Sequence, residues 1–322
     1  LGIETKVEGD ILEKGKIALD AKLFSEITRK LSDADSIVTI ESDEKFNTTI
    51  RCENSVFKIQ GKVGEEFSYL PYIEKNKYIC LSQFSLKEII RQTIFSISVN
   101  DSNKMMTGEL FEVDENTLRV VSLDGHRMAI RKIELKDTYE NTKVIVPGKT
   151  LNEISKILTG DNEKDVQIFF GTNHILFEFD DTIVVSRLIE GEYFKVDQML
   201  SSDYSTKITV NKKEFSDCIE RAIILVREND KKPIILNIEE SKMGLKLNSS
   251  FGTMDAEVLI HKTGQDLMIG FNPKFLIDAL KIIDDEEVTL YMMNAKSPCF
   301  IKDENESYIY LILPVNFNAA AI

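Results

Sequence analysis

Val144-Ile145-Val146-Pro147-Gly148-Lys149-Thr150-Leu151-Asn152-Glu153-Ile154-Ser155-Lys156-Ile157-Leu158 changes its apolar period halfway along. Val144 and Val146 alternate, as residues on one face of a strand do. Leu151, Ile154 and Leu158 recur every three or four residues, as one face of a helix does. Pro147 and Gly148 sit where the period changes. Proline is harmless in a first helical turn, because its missing N–H has no helical partner there. The stretch predicts a short strand, a turn and an amphipathic helix of about three turns.

The same apolar offsets of 0, 2, 7, 10 and 14 recur four more times. Ile17, Leu19, Phe24, Ile27 and Leu31 form the first set, and Ile79, Leu81, Leu86 and Ile89 the second, with Thr93 breaking its last place. The fourth is Ile208, Val210, Phe215, Cys218 and Ala222, and the fifth Ile269, Phe271, Leu276, Ala279 and Ile283. The sets start at 17, 79, 144, 208 and 269, at intervals of 62, 65, 64 and 61 residues. Asp20, Ser82, Asn211 and Asn272-Pro273 stand where helices are capped or begun. Strand-like stretches follow each helix, among them Ser36–Ile40, Asp165–Phe170 and Val288–Met292. The fold class is α+β, built from strand–helix–three-strand units that pair, since one helix cannot cover such a sheet. Coincidental periodicity in a generic α+β chain is the competing reading, and five near-equal intervals argue against it. The chain opens on Leu1-Gly2-Ile3-Glu4-Thr5, in mid-strand and without Met. With an odd number of units, that opening predicts a sixth, N-terminal unit that is mostly missing.

The chain has 322 residues, 43% of them hydrophobic and 29% charged, which suits two or three soluble globular domains. No apolar run approaches the ~20 residues that span a bilayer, so no membrane partner is expected. Cys52, Cys80, Cys218 and Cys299 are far apart in sequence, which fits buried thiols in a reducing cytosol. The net charge of −14 argues, taken alone, against a nucleic-acid binder.

The helix faces away from the apolar stripe differ from that average. They carry Lys22, Arg29, Arg91, Lys149, Lys156, Lys213, Arg221, Lys274 and Lys281, interleaved with Glu26, Glu88, Glu153, Asp217 and Asp278. The acid load concentrates in turns such as Asp180-Asp181 and Asp284-Asp285-Glu286-Glu287. Two readings stand side by side. A solvated face stitched by ion pairs is one, and charge alone favours it. A weak, sequence-neutral surface for a phosphate backbone is the other.

Enzymatic chemistry finds no foothold. Pro147-Gly148-Lys149-Thr150 ends like a phosphate loop, but Lys143 stands where the loop needs its earlier glycine. His126, His174 and His261 lie in no HExxH motif and have no metal-ligand spacing, so neither metal nor cofactor is expected. Asp124-Gly125-His126-Arg127 reads as the turn between strands Leu118–Leu123 and Met128–Ile133, with Gly125 supplying the bend.

Four runs carry a resemblance. Ser122-Leu123-Asp124-Gly125-His126-Arg127-Met128-Ala129, Val144-Ile145-Val146-Pro147, Gly270-Phe271-Asn272-Pro273-Lys274-Phe275-Leu276 and Tyr310-Leu311-Ile312-Leu313-Pro314-Val315 occur in order along most of the chain. Together they resemble the bacterial DNA polymerase III beta subunits, the sliding clamps. The resemblance implies a DNA clamp fold of three similar domains, each of two such units, with helices lining a ring and sheets outside. Two protomers would close head to tail as a homodimer, giving twelve helices. Helices ~10 Å wide then leave a hole about 28 Å across, roomy for a duplex about 20 Å wide. Domains are expected at 1–76 (partial), 77–203 and 204–322, broken at Glu74-Lys75-Asn76-Lys77 and Ser201-Ser202-Asp203.

The same resemblance implies a non-catalytic processivity factor held on duplex DNA topologically and without sequence preference. Its partners would be the DNA polymerase III alpha subunit, the clamp loader delta subunit, and other polymerases and repair proteins carrying clamp-binding peptides. Localisation would be cytoplasmic, at the nucleoid. The peptide pocket would use Leu123, Gly125, His126, Arg127 and Met128 from the turn, and Phe194, Gln198 and Met199 from the interdomain stretch. Asn272, Phe275, Pro298, Leu311, Leu313, Pro314 and Val315 would complete it. Phe194 and Asn316 stand where the family commonly has Pro and Arg. Phe57 and Ile59 would meet Ile224 and Leu225 of the mate. Two other readings remain. A peptide-binding scaffold that encircles no DNA predicts no basic excess on the helices, and an enzyme on the same fold predicts a clustered constellation.

Overall fold

The computed structural model describes residues 1–31, 36–99, 103–201, 203–227 and 232–317. All five strand–helix steps are present. Helix α1 (Ala21–Lys30) follows strand Ile17–Ala18, and α2 (Gln83–Thr93) follows Tyr78–Ser82. Likewise α3 (Gly148–Ile157), α4 (Lys212–Ile223) and α5 (Pro273–Ile282) follow Thr142–Pro147, Thr206–Asn211 and Leu267–Phe271. Asp20, Ser82, Asn211 and Asn272 each accept a main-chain N–H of their helix's first turn. That satisfies a donor with no helical partner. The Asn272 acceptor lies 3.0 Å from the Lys274 nitrogen. Asn272→Ala is therefore expected to cost ~1 kcal/mol in chemical denaturation, while Asn272→Asp keeps most of it; equal losses in both variants would contradict the capping role.

The apolar offsets become the core. Ile208, Val210, Phe215, Cys218 and Ala222 are all buried, as are Ile269, Phe271, Leu276, Ala279 and Ile283. Thr93, the break in the pattern, is buried too, because its hydroxyl donates to the Ile89 carbonyl one turn back at 2.7 Å.

The chain divides into two compact parts, Thr5–Tyr72 and Leu1–Glu4 with Ile73–Ile322. In Thr5–Tyr72, strands Val38–Ser42, Asn47–Cys52 and Ser55–Gln60 form an antiparallel sheet. Of the five apolar offsets there, only Ile27 is buried.

In the larger part each unit lends its leading strand to its neighbour. Tyr78–Ser82 of the second unit pairs with Asp165–Phe170 of the third. Thr142–Pro147 of the third pairs with Gly108–Asp114 of the second. The fourth and fifth units repeat the exchange, through Thr206–Asn211 with Glu287–Met292 and Leu267–Phe271 with Ile234–Ile238. This is the physical form of the pairing: neither unit's sheet is complete without the other's strand. One further antiparallel pair, Arg127–Glu134 with Tyr308–Ile312, fuses the two assemblies into a sheet of twelve strands.

Candidate functional site

The turn between Thr117–Leu123 and Arg127–Glu134 is tight and held by its own side chains. Gly125 takes a φ of +88°, which favours glycine. Asp124 accepts from the His126 and Arg127 nitrogens at 2.9 and 3.1 Å. Leu123 stands opposite Met128, Met128 opposite Leu311, and Leu311 opposite Phe300. Side chains directly opposite in an antiparallel pair share a face and touch. These four form one apolar row across the junction strand pair, and Phe194 packs against the same cluster. Three sequence-predicted pocket residues thus adjoin one another in an order that the sequence does not show.

A second group surrounds the Asp124–Arg127 turn. The His126 ring stacks on Phe275 with centroids 6.2 Å apart. Leu313 donates its N–H to the His126 carbonyl, and Val315 to Gly270. Leu313 and Met199 are exposed, while Pro298, Pro314 and Val315 are half-buried. Gln198 and Met199 lie in the turn Val196–Met199. Apolar rows ending in a few polar groups suit the anchoring of a short peptide's hydrophobic side chains.

Arg127 faces the other way, toward α5. Its Nε, Nη1 and Nη2 donate to Asp124 at 3.0 Å, Asp278 at 2.7 Å and the Phe95 carbonyl at 2.7 Å. The guanidinium also lies 4.5 Å from the Phe275 ring centroid. The fork thereby ties the turn to α5 and to the end of α2. The resemblance implies Arg127 for the pocket, and no local signal shows its carboxylate on α5, which lies 151 residues away.

The nine basic residues all lie on the five helices, and all but Arg91 are exposed. Ion pairing occupies four of them. Lys156 pairs with Glu153 at 2.8 Å, Lys213 with Asp217 at 2.7 Å and Lys281 with Glu220 at 3.0 Å. Arg91 holds both Glu88 at 2.6 Å and Asp284 at 2.7 Å, so it clips α2 to the stretch after α5. Lys22, Arg29, Lys149, Arg221 and Lys274 form no ion pair among the described residues. Phe57 and Ile59 are half-buried on the last strand of their sheet, and Ile224, just beyond α4, is 80% exposed beside half-buried Leu225.

A buried carboxyl had no sequence signal. Glu109, on strand Gly108–Asp114, is wholly buried, and among the described residues neither carboxyl oxygen has a partner at hydrogen-bond geometry, the nearby Thr93 hydroxyl being committed to the Ile89 carbonyl. Burial pushes its pKa well above the ordinary value of 4.5. Among the described residues no group of three or more His, Cys, Asp or Glu could hold a metal ion, and no helix is long and apolar enough to cross a membrane.

Three family models match in succession: the DNA polymerase III beta subunit N-terminal domain at residues 1–71, its central domain at 80–195 and its C-terminal domain at 197–316. The beta sliding clamp of Staphylococcus aureus (strain Mu50) is 35% identical over 309 residues, 95% of this chain and 81% of that protein. A crystal structure of a DNA polymerase III beta subunit from Eubacterium rectale is 63% identical with a TM-score of 0.92, covering 98% of this chain and 86% of that one. The DNA polymerase sliding clamp from Bacillus subtilis is 33% identical with a TM-score of 0.90 over the same shares. The chain belongs to the DNA polymerase III beta subunit family, the sliding clamps, whose members are non-catalytic processivity factors in DNA replication.

Proposed function

We propose that two copies of this chain close head to tail into a ring around duplex DNA and tether DNA polymerase III to it. The domain division is 1–76, 77–203 and 204–322, the last break falling at Ser201-Ser202-Asp203, of which Ser202 lies outside the described residues. Phe57 and Ile59 of one copy meet Ile224 and Leu225 of the other, burying apolar surface that the single chain leaves open. Lys22, Arg29, Lys149, Arg221 and Lys274, free of ion pairs among the described residues, supply the positive charge facing the duplex, with the four paired cations in support. The remaining charge is modest, which suits a sequence-neutral surface that must slide.

The alpha subunit, the clamp loader delta subunit, and other polymerases and repair proteins dock by short peptides. They share one pocket, floored by Leu123, Met128 and Leu311 and rimmed by Gly125, His126, Phe275 and Leu313. The single observation supporting this reading is the apolar row running unbroken through the junction of the two strand–helix assemblies. The setting is the cytoplasm, at the nucleoid.

Light scattering at micromolar concentration tests the assembly. The expected mass is twice the 36.7 kDa of one chain. Ile224→Asp is expected to shift it to a single chain; a wild-type mass of one chain would contradict the ring.

A further inference from the structure

Beside the pocket, the same sheet face opens into a cleft of about 740 Å³, walled by the stretch Leu188–Gln198. Phe194 lines this cleft and packs against the apolar cluster that floors the pocket. Three features define what it can hold.

The first is apolar continuity. Ile145 stands opposite Leu110, Leu110 opposite Val121, and Val121 opposite Ile130. All four share the apolar cluster of Leu123, Met128 and Leu311. The cleft floor and the pocket floor are therefore neighbouring rows of one surface.

The second is an open strand edge. Thr142–Pro147 is the terminal strand of the twelve-stranded sheet. Among the described residues its free side carries one bridge, in which Ile189 donates its N–H to the Ile145 carbonyl at 2.9 Å. Main-chain groups of alternate strand residues point the same way, so those of Lys143 point to that free side too. Lys143 lines the cleft.

The third is charge. Arg119 lies within 3.3 Å of Glu112 and 2.8 Å of Asp197, and Lys143 within 2.5 Å of Glu112. These cations already hold carboxylates, and Glu190 and Glu192 add two more along the wall. Lys195 is the one lining cation without an ion pair among the described residues, and the lining carries four carboxylates against three cations, so no net positive charge favours an acidic ligand side chain. Among the described residues Arg119 Nε is buried without an acceptor, and a neutral one such as a main-chain carbonyl would satisfy it.

We propose that the cleft binds the extended, uncharged flank of the same partner peptide whose apolar anchors fill the pocket. The flank adds as a short strand beside Lys143, by main-chain hydrogen bonding to an exposed sheet edge. The inference rests on the pocket reading. Partners with an apolar, β-prone flank gain affinity over partners with the anchors alone.

Fluorescence anisotropy on the whole chain tests this. One probe is a labelled pentapeptide bearing Leu and Phe anchors. Two others carry Ser-Val-Thr-Val added before or after it. One extension is expected to tighten binding about tenfold. The gain should vanish when the extension's alternate amides are N-methylated, a change that leaves the protein untouched. It should also vanish in Lys143→Pro, which removes a donor on the strand's free side, and persist in Lys143→Ala. If neither extension tightens binding, or if the gain survives both N-methylation and Lys143→Pro, the cleft proposal fails while pentapeptide binding keeps the pocket reading. If the pentapeptide does not bind, the pocket reading fails and the cleft proposal with it.

Discussion

Arg127→Ala is expected to lower stability by about 2–4 kcal/mol and to weaken peptide binding at the turn. The guanidinium side chain is only 10% exposed, and removing it leaves Asp124, at 13%, without its charged partner. Asp278 is 26% exposed and regains some water, which places the loss below that of a fully buried pair. The Phe95 carbonyl loses a donor as well. Arg127→Lys should recover little, because one ammonium cannot span two carboxylates and a carbonyl as the planar fork does. The pairing itself is read by a double-mutant cycle of Arg127→Ala and Asp278→Asn in chemical denaturation. Coupling above about 1 kcal/mol is expected. Strict additivity would show that the α5 contact contributes nothing. Binding of the anchor pentapeptide, measured under conditions where each variant stays folded, separates the turn's position from global stability.

Glu109→Met is expected to raise stability at neutral pH by about 1–3 kcal/mol. The native carboxyl has two buried oxygens without hydrogen-bond partners among the described residues, and methionine of similar length removes both. The pH dependence has a definite sign. The folded state holds the Glu109 proton more tightly than the unfolded chain, because burial raises its pKa above 4.5. The folded state therefore binds more protons once pH passes the ordinary carboxylate range, and stability falls as pH rises from there toward the folded pKa. Thermal melts at about pH 5 and about pH 8 check this: the difference between them should shrink in Glu109→Gln relative to the wild-type chain. An unchanged difference, with no gain in Glu109→Met, would overturn it.

The fold was legible in the sequence where local physics determines it. Offsets such as Ile208, Val210, Phe215 and Cys218 encode a strand and a helix face within fifteen residues, and each is buried as that pattern requires. The turn Asp124–Arg127 was equally readable, from Gly125 and its flanking apolar strands. What was not legible depends on distant partners. Nothing local tells that Tyr78–Ser82 pairs with Asp165–Phe170 rather than with its own unit, because antiparallel strands of similar pattern are interchangeable until the chain closes. The roles of Arg91 and Arg127 were hidden for the same reason. Helical spacing places Arg91 on an outer face, whereas its second carboxylate, Asp284, comes from 193 residues away. Glu109 gave no warning either, since alternation in Gly108–Asp114 marks its position without revealing that no cation covers it.

Retention on closed DNA distinguishes encirclement from ordinary binding. The protein is loaded onto nicked circular duplex by a clamp loader, washed, and followed before and after the circle is cut once. Lasting retention on circles and rapid loss from the cut DNA are expected, with little effect of duplex sequence. Equal retention on circular and linear DNA, or equal loss from both, would contradict encirclement and leave a peptide-binding scaffold without topological linkage.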